Sequence, residues 1–493
     1  MTFNLLDEPW LPVYDLDGQV RDVSLENVFA NATAFRDLAI GFAPERVAVT
    51  RFLVAVLQSA LRGPAGKSER IRWLQDPGSA QAKVAIYLER WRGRFDLFHP
   101  LRPFMQKPIG DDASDKSIAV LKLEWASGNN VTLFDHHRDD RPPELSPAAT
   151  ARALLTTLLY QPRGGVSKPF NRTDSPGTKP IIVLVHGTTL WETLVGNCSD
   201  YPAPGRDVPS DAPIWERDND HEPDKVGTVP YGLLDRLTWR SRAVLVLRDP
   251  DGAVRRCRLH QHLKLLDDPP SDPYVPVHQT KEGPKIVRPP SSRRLWRAAD
   301  AVLHGLSDEG HPTAIRQAVR TFESLDPPRH PQMLAVGLWI EQGKVADAQS
   351  ALLPVSSRLL EDLDLIDRVT WAFEQAHIGA KAIGSAIGKF THAMGVEVKT
   401  QAAARWQAPY WAALGGDFTG YLHELSSTVE VPTNSSLVSQ QWVRTVRRHA
   451  WAAFDAIDSQ DVSDPRQARA LALAADRFRA QLRRLAPLTP QAA

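Results

Sequence analysis

Residues 461–486, "DVSDPRQARALALAADRFRAQLRRLA", decide the fold of the C-terminal part of the chain. Asp464 precedes Pro465, and this order is typical of a helix N-cap followed by a proline at the first helical position. Apolar residues then recur at helical spacing, and neither glycine nor a second proline interrupts them. We therefore predict a helix over 465–486.

Three longer helices are predicted before it, over 358–394, 400–427 and 436–458. Helix-breaking residues lie between them, at Gly395, in "EVPTNSS" (430–436) and in "DVSDP" (461–465). Short connections and alanine-rich amphipathic helices favour an antiparallel four-helix bundle. The predicted fold class is α+β, with a large mixed and loop-rich N-terminal domain over 1–357 and a C-terminal antiparallel four-helix bundle over 358–493.

The N-terminal domain is predicted from local signals. Asp17-Gly18 and Asp251-Gly252 each separate two strand-like runs, which is the signature of a β-hairpin. Ser24 is a predicted N-cap, and "PERVAVTRFLVAVLQSAL" (44–61) predicts a buried helix. "PIIVLVHG" (180–187) predicts a strand. The stretch around 199–230 is rich in proline, aspartate and glycine, so we expect it to be irregular, and a second proline-rich stretch runs over 267–297.

Composition excludes several classes of protein. The chain has 493 residues, of which 42% are hydrophobic and 24% charged, with a net charge of +1, so it is not uniformly basic. Its two cysteines, Cys198 and Cys257, stand alone in sequence, which excludes a thiolate zinc site or a disulfide scaffold. The N-terminus lacks a signal-peptide pattern, and no apolar run is long enough to span a membrane. We expect a soluble cytoplasmic protein with no membrane partner.

The stretch "VTLFDHHRDDRPP" (131–143) places Asp135, His136 and His137 directly after a strand-like run. Such a triplet binds divalent cations in two-metal phosphoesterases. Those enzymes also need earlier aspartates and a histidine on strand ends, and this chain lacks them. The alternative interpretation is a polar surface loop, and a metal-dependent phosphohydrolase remains the competing hypothesis for function.

The stretch "QPRGGVSKPFNRTDSPGTKP" (161–180) combines two glycines with basic residues. Gly164 and Gly165 would allow a ligand to approach the backbone closely, while Arg163 and Lys168 would contact phosphates. The alternative is a flexible surface loop. Two further arginine clusters are either phosphate contacts or solvated faces: Arg293 and Arg294 beside Trp296, and Arg444, Arg447 and Arg448 at helical spacing.

Two further stretches are the opening "NLLDEPWLPV" (4–13) and "FDLFHPLRPFMQ" (95–106). Together with the stretches above they resemble the CasA family, the large subunit of the type I-E CRISPR Cascade surveillance complex: the first is similar to the family's opening motif and the second to its His-Pro-Phe-Met-Gln segment. The glycine pair and the helical C-terminal part follow in the family's order. The matching residues of the two motifs are Asn4, Leu5, Leu6, Trp10, Pro12, His99, Pro103, Phe104, Met105 and Gln106.

The resemblance implies a subunit that is not an enzyme. Some members of the family carry a four-cysteine zinc site near the lysine finger, and this chain departs from them because it has only two cysteines, so we expect no cofactor and no metal. The resemblance implies binding to duplex target DNA, recognition of the protospacer-adjacent motif and the start of strand separation. The implied partners are the other Cascade subunits, the 5′ handle of the guide RNA and the helicase-nuclease effector.

The resemblance also assigns roles by position. Gly164 and Gly165 would form a glycine loop in the minor groove, Gln342, five residues after Gly337, a wedge, and Lys264 a lysine finger. Leu133, Phe134 and Asp135 would form a loop that docks on the guide RNA and neighbouring subunits.

Overall fold

The computed structural model describes residues 2–110, 113–125, 143–163, 173–201, 210–266, 271–290, 294–307, 314–341, 343–396, 400–427, 432–458 and 464–488. The chain divides into two compact units, residues 1–352 and 353–493. Helices occur together with small antiparallel sheets, so the α+β class predicted from the sequence is confirmed. No helix within the described ranges is long and apolar enough to cross a membrane.

The first unit begins with a small sheet in the order β2-β1-β3. The predicted hairpin is present, because β1 and β2 pair on either side of Gly18, whose φ is +82°. Ser24 caps the following helix, since its side-chain oxygen accepts from the Asn27 N–H. The elements are β1 (Leu11–Asp15), β2 (Val20–Val23), α1 (Leu25–Ala30) and β3 (Phe35–Leu38).

A buried helix, α2 (Ala43–Leu61), forms the centre of this unit. It packs against α4, α5, α6 and α7 because nearly every side chain from Val47 to Ser59 is buried. Arg51 of this helix forms a buried bidentate pair with Asp272, at 3.1 and 2.8 Å. The helices around it are α3 (Lys67–Gln75), α4 (Pro77–Arg90), α5 (Pro147–Tyr160), α6 (Leu190–Asn197) and α7 (Leu233–Leu237).

Two three-stranded sheets and a separate hairpin complete the unit. One sheet has the order β4-β7-β6 and contains the predicted hairpin around Asp251-Gly252, and the other has the order β11-β10-β5. The pair β8–β9 stands apart. The elements are β4 (Lys116–Ser117), β5 (Ile182–His186), β6 (Arg242–Arg248), β7 (Val254–Gln261), β8 (Val277–Thr280), β9 (Gly283–Ile286), α8 (Ala299–Ser307), α9 (Ala314–Phe322), β10 (Gln332–Glu341) and β11 (Lys344–Pro354). Short 3-10 helices cover Arg92–Arg94, Ile118–Leu121, Ile214–Glu216 and Leu295–Ala298.

The second unit is helical. Its helices are α10 (Ser357–Glu361), α11 (Leu363–Ala393), α12 (Thr400–Ser427), α13 (Pro432–Asp458) and α14 (Pro465–Leu482). Helix α11 packs against α12, α13 and α14, and α12 also packs against α13. The Asp464 side chain caps α14, as its sequence context predicts. The predicted helix from 358 is interrupted at Asp362, which accepts hydrogen bonds from the first N–H groups of α11.

Candidate nucleic-acid interface

After α5 the chain runs through residues 161–163, and it returns toward β5 through residues 173–175. Hydrogen bonds join these two short segments, which we call the segment base. Ser175 donates its backbone N–H to the Gln161 carbonyl at 3.0 Å. The Arg163 N–H donates to a carboxylate oxygen of Asp174 at 2.8 Å. The outgoing segment 161–163 and the returning segment 173–175 are therefore held side by side.

Arg242, the first residue of β6, bonds to both of these segments. Its side chain is only 2% exposed, and its Nη2 lies 2.9 Å from the carbonyl oxygen of Gln161 and 2.7 Å from that of Thr173. Burial lowers the pKa of the guanidinium to about 10, although the charge of Asp174 acts in the opposite direction. Arg242 is therefore a buried cation at neutral pH, and backbone carbonyl dipoles stabilise it.

The turn between β10 and β11 lies against the segment base, at Arg163. Gly343 has φ +78°, a left-handed conformation that glycine adopts readily. A Cβ built on Gly343 would lie 3.3 Å from the carbonyl oxygen of Arg163, so the two backbones approach closely. Arg163 and Gly343 are therefore neighbours, although they are far apart in sequence.

Lys264 leaves the β6–β7 hairpin at the end where Arg242 lies. Arg242 pairs with Gln261, and the His262 N–H continues the ladder to the Ser241 carbonyl at 3.1 Å. The ammonium group of Lys264 donates to the Lys225 carbonyl at 3.0 Å. The predicted lysine therefore follows, by three residues, the strand residue that pairs with Arg242.

A buried ionic cluster fixes the chain beside Lys264. The carboxylate of Asp220 lies 2.6 Å from Nε2 of His262 and 2.7 Å from Nη2 of Arg240. Burial alone would raise the pKa of Asp220, but the His262 hydrogen bond and the charge of Arg240 lower it to about 2. Burial also lowers the pKa of His262, against the effect of Asp220. At neutral pH this cluster therefore contains a carboxylate, an arginine cation and a neutral histidine.

Those predicted phosphate contacts that the structure describes lie on exposed surfaces in each unit. Arg163 and Arg294 are exposed in the first unit, and Arg444, Arg447 and Arg448 are exposed on α13 in the second. Arg448 is partly neutralised, because Asp417 lies 3.3 Å from it. Trp296 is only 7% exposed, so its ring is not available to stack on a nucleic-acid base.

The sequence reasoning missed a row of exposed arginines on α14. In the described ranges their side chains form no ion pair, and their spacing places them on one face of the helix over about 17 Å. A helical projection of the sequence would have found this row. Its members are Arg466, Arg469 and Arg477.

Ten of the residues singled out from the sequence lie outside the described residues. They are Leu133, Phe134, Asp135, His136, His137, Gly164, Gly165, Lys168, Arg293 and Gln342. Within the described ranges, no group of three or more His, Cys, Asp or Glu side chains is arranged to hold a metal ion. Cys198 and Cys257 are buried free thiols, and burial raises the pKa of each to about 12.

Comparison with known proteins gives consistent results. The family model described as CRISPR-associated protein Cse1 matches residues 4–453. A CRISPR-associated protein CasA/Cse1 of Thermus thermophilus is 34% identical over 311 residues, which is 61% of this chain and 60% of that protein. The alignment thus spans less than two thirds of that relative's length.

Solved structures match over nearly the full length. The structure of Thermus thermophilus CasA (Cse1) has a TM-score of 0.78 at 25% identity and covers 98% of this chain and 99% of that one. A chain of a CRISPR RNA-guided surveillance complex has a TM-score of 0.73 at 22% identity, over 98% of this chain and 99% of that one. The fold of this chain is therefore similar to theirs in both units.

Proposed function

This chain belongs to the Cse1 family of CRISPR-associated proteins, and from that premise we propose that it is a DNA-binding subunit of an RNA-guided surveillance complex. The resemblance to the CasA family predicted from the sequence is confirmed. In the proposed function the chain recognises the protospacer-adjacent motif in duplex DNA and helps to start strand separation. It also docks on the other Cascade subunits, the guide RNA and the helicase-nuclease.

One observation carries the proposal for motif recognition. The proposal is supported by the close approach of Gly343, the residue after Gln342 in sequence, to the carbonyl of Arg163, the residue before Gly164. Gln342 and Gly164 belong to the proposed wedge and glycine loop, and a motif reader needs both at one place on the duplex. Lys264, the proposed finger, leaves the hairpin whose other strand begins at Arg242.

The chemistry of these residues suits a tolerant reader of the minor groove. Base edges in the minor groove differ less than those in the major groove, so a glycine backbone and one lysine would recognise a short motif with limited discrimination. Separating the first base-pair step costs on the order of 1.4 kcal/mol of stacking free energy. A glutamine inserted at that step could offset this cost through new contacts.

The exposed arginines would contact phosphates without sequence preference. In the first unit they are Arg163, Arg293 and Arg294, together with Lys168. In the second unit they are Arg444, Arg447 and Arg448, and we add the α14 row because its side chains are exposed and carry no described ion pair. Leu133, Phe134 and Asp135 remain proposed contacts to the guide-RNA handle and neighbouring subunits.

The domain organisation follows the same proposal. Residues 1–357 would recognise the motif, and residues 358–493 would form an antiparallel four-helix bundle. Two features support the bundle: α11 packs against α12, α13 and α14, and the breaks between the helices are short. Neither unit is proposed to be catalytic.

A salt titration of DNA binding tests the proposed function. The assembled complex is titrated with a motif-bearing duplex and with a scrambled duplex at several salt concentrations. We expect affinity to fall with a log–log slope of about −0.9 per phosphate contacted, with the same slope for both duplexes and tighter binding of the motif. A manganese titration with a generic phosphodiester serves as the control, and we expect no turnover. Salt-insensitive DNA binding together with metal-stimulated hydrolysis would instead support a phosphohydrolase built on Asp135, His136 and His137.

A further inference from the structure

The environment of Arg242 is unusual for a buried cation. All four of its hydrogen-bond acceptors that the structure describes are backbone carbonyls, and no described carboxylate forms an ion pair with it. Removing a charged group from water is costly unless the group is well paired. The charge of Arg242 therefore adds little to stability, and its presence at this buried position must be explained by the hydrogen bonds that it forms.

The geometry of the guanidinium supplies that reason. Its Nη2 lies 2.9 Å from the Gln161 carbonyl and 3.4 Å from that of Pro162, both of which precede the 164–172 segment. The same Nη2 lies 2.7 Å from the Thr173 carbonyl, which follows that segment, and Nη1 donates to Ser241 at 3.0 Å. One rigid planar group therefore ties together the two points where the chain leaves and returns. Nη1 anchors the group on the Ser241 carbonyl while Nη2 bonds the two segment ends, and lysine, with a single nitrogen, could not donate from both positions.

The hydrogen bonds from Arg242 to Gln161, Pro162 and Thr173, which we call the clamp, also fix the neighbouring β10–β11 turn. Arg163 follows Pro162 directly, and its carbonyl oxygen lies against Gly343 in the β10–β11 turn. Any loosening at Pro162 and Thr173 would release Arg163 from the turn. Arg242 thus controls the position of the segment base relative to the β10–β11 turn, although Arg242 itself contacts no ligand.

We propose that Arg242 is a positioning residue for motif recognition. It holds together the two ends of the chain that flank residues 164–172, and it keeps this segment base against the β10–β11 turn. This inference rests on the proposed function. In it, Arg242 contributes to motif recognition without contacting DNA. Without the clamp, the arrangement that reads the motif is only one of several, and the apparent affinity for the motif falls by the fraction of molecules that remain competent.

The test compares Arg242→Met with the wild type in the assembled complex, using motif-bearing and scrambled duplexes of equal length. The wild-type preference for the motif is first defined with a library that has randomised flanks. We expect Arg242→Met to reduce the ratio of the two affinities by about tenfold, with an unchanged salt slope because no phosphate contact is lost. A residue with a merely structural role would weaken binding to both duplexes equally and leave the ratio unchanged.

Two further variants separate the clamp from simpler explanations. Arg248→Met removes an arginine at the other end of β6 whose side chain donates to the Gly252 carbonyl, and it should leave the ratio unchanged. Arg242→Lys keeps the charge but loses the planar fork, so it should recover less than half of the lost preference. Full recovery by lysine would show that the charge alone matters and would overturn the clamp.

Hydrogen exchange of the chain without DNA gives an independent readout. The Arg163 and Ser175 N–H groups are bonded across the base, so their exchange should accelerate in Arg242→Met while amides in α2 stay protected. If Arg242→Met does not fold, Asp174→Ala serves as the second variant, because it removes the carboxylate that accepts from the Arg163 N–H. We expect it to reduce the motif preference by less than the tenfold expected for Arg242→Met.

The outcomes distinguish this inference from the proposed function. A wild-type complex with no motif preference would contradict the proposed function itself. A wild-type complex that prefers the motif, together with an Arg242→Met complex that prefers it equally, would overturn only the clamp. The clamp is also overturned if exchange at Arg163 and Ser175 is unchanged in the variant.

Discussion

Replacing Gly343 by alanine should impair strand separation far more than it impairs folding. Gly343 has φ +78°, and a residue with a side chain costs about 1–2 kcal/mol in left-handed backbone. Its new Cβ would also lie 3.3 Å from the Arg163 carbonyl oxygen, which is closer than side-chain carbons normally approach, so the turn or the segment base must move. We expect the turn to move away, because this relieves both the backbone and the contact.

The expected size of the effect follows from that cost. If the turn in contact with Arg163 becomes less stable than the displaced turn by about 1–2 kcal/mol, the competent fraction falls by roughly 5- to 30-fold. The assay places 2-aminopurine at the first base pair beside the motif and follows its fluorescence when the assembled complex binds. Opening should slow by that factor, while binding to a duplex that is already open should be unaffected.

Gly18 provides a matched control for this prediction. It lies in the β1–β2 turn with φ +82°, and a Cβ built on it would meet nothing within 4 Å. Gly18→Ala should therefore cause a similar loss of unfolding free energy in urea but no change in opening. If both variants slow opening equally, or if neither does, the argument that the Gly343–Arg163 contact places the wedge is wrong.

Three further predictions concern stability and reactivity. Arg51→Met removes the bidentate arginine from the buried carboxylate of Asp272, so the free energy of unfolding in urea should fall by about 3–5 kcal/mol, and a loss below about 1 kcal/mol would contradict a buried ion pair. The pKa of His262 is lowered in the folded chain, so between that lowered value and its usual value the unfolded chain binds the proton and the folded chain does not. Wild-type stability should therefore fall with decreasing pH below about 6.5, by at most about 1.4 kcal/mol per pH unit from this group, and His262→Gln should lack that component. Burial raises the pKa of Cys198 and Cys257 to about 12, so a thiol reagent at pH 8 should label neither in the native chain and both in guanidinium; rapid native labelling would contradict their burial.

Local chemistry explains why parts of the fold could be predicted from the sequence. The Asp17-Gly18 turn and the Ser24 cap involve residues within a few positions of each other, so their signals are complete in a short window. The same holds for Asp464 before α14. The start of α11 was predicted less well, because Asp362 caps a new helix where apolar periodicity indicated a continuous one.

The candidate interface could be predicted only in part, because its geometry depends on distant residues. The role of Lys264 and Gln342 came from a resemblance, and nothing in their immediate sequence distinguishes them. Arg242 reads as an ordinary strand residue, and its acceptor Gln161 is 81 positions away. The contact between Gly343 and Arg163 likewise joins two segments that the sequence alone does not pair.

Site-specific photo-crosslinking tests most directly whether the β10–β11 turn lies at the motif. A photoreactive phenylalanine analogue replaces Glu341, an exposed residue at the end of β10, and in a control chain it replaces Leu16 in the β1–β2 turn, which is 52% exposed. The assembled complex is irradiated with a motif-bearing duplex, and the crosslinked base pairs are mapped. We predict crosslinks from position 341 at the motif and its first neighbouring step, lost when the motif is scrambled, and none from position 16. Crosslinks that are equal from both positions, or that do not depend on the motif, would contradict the account.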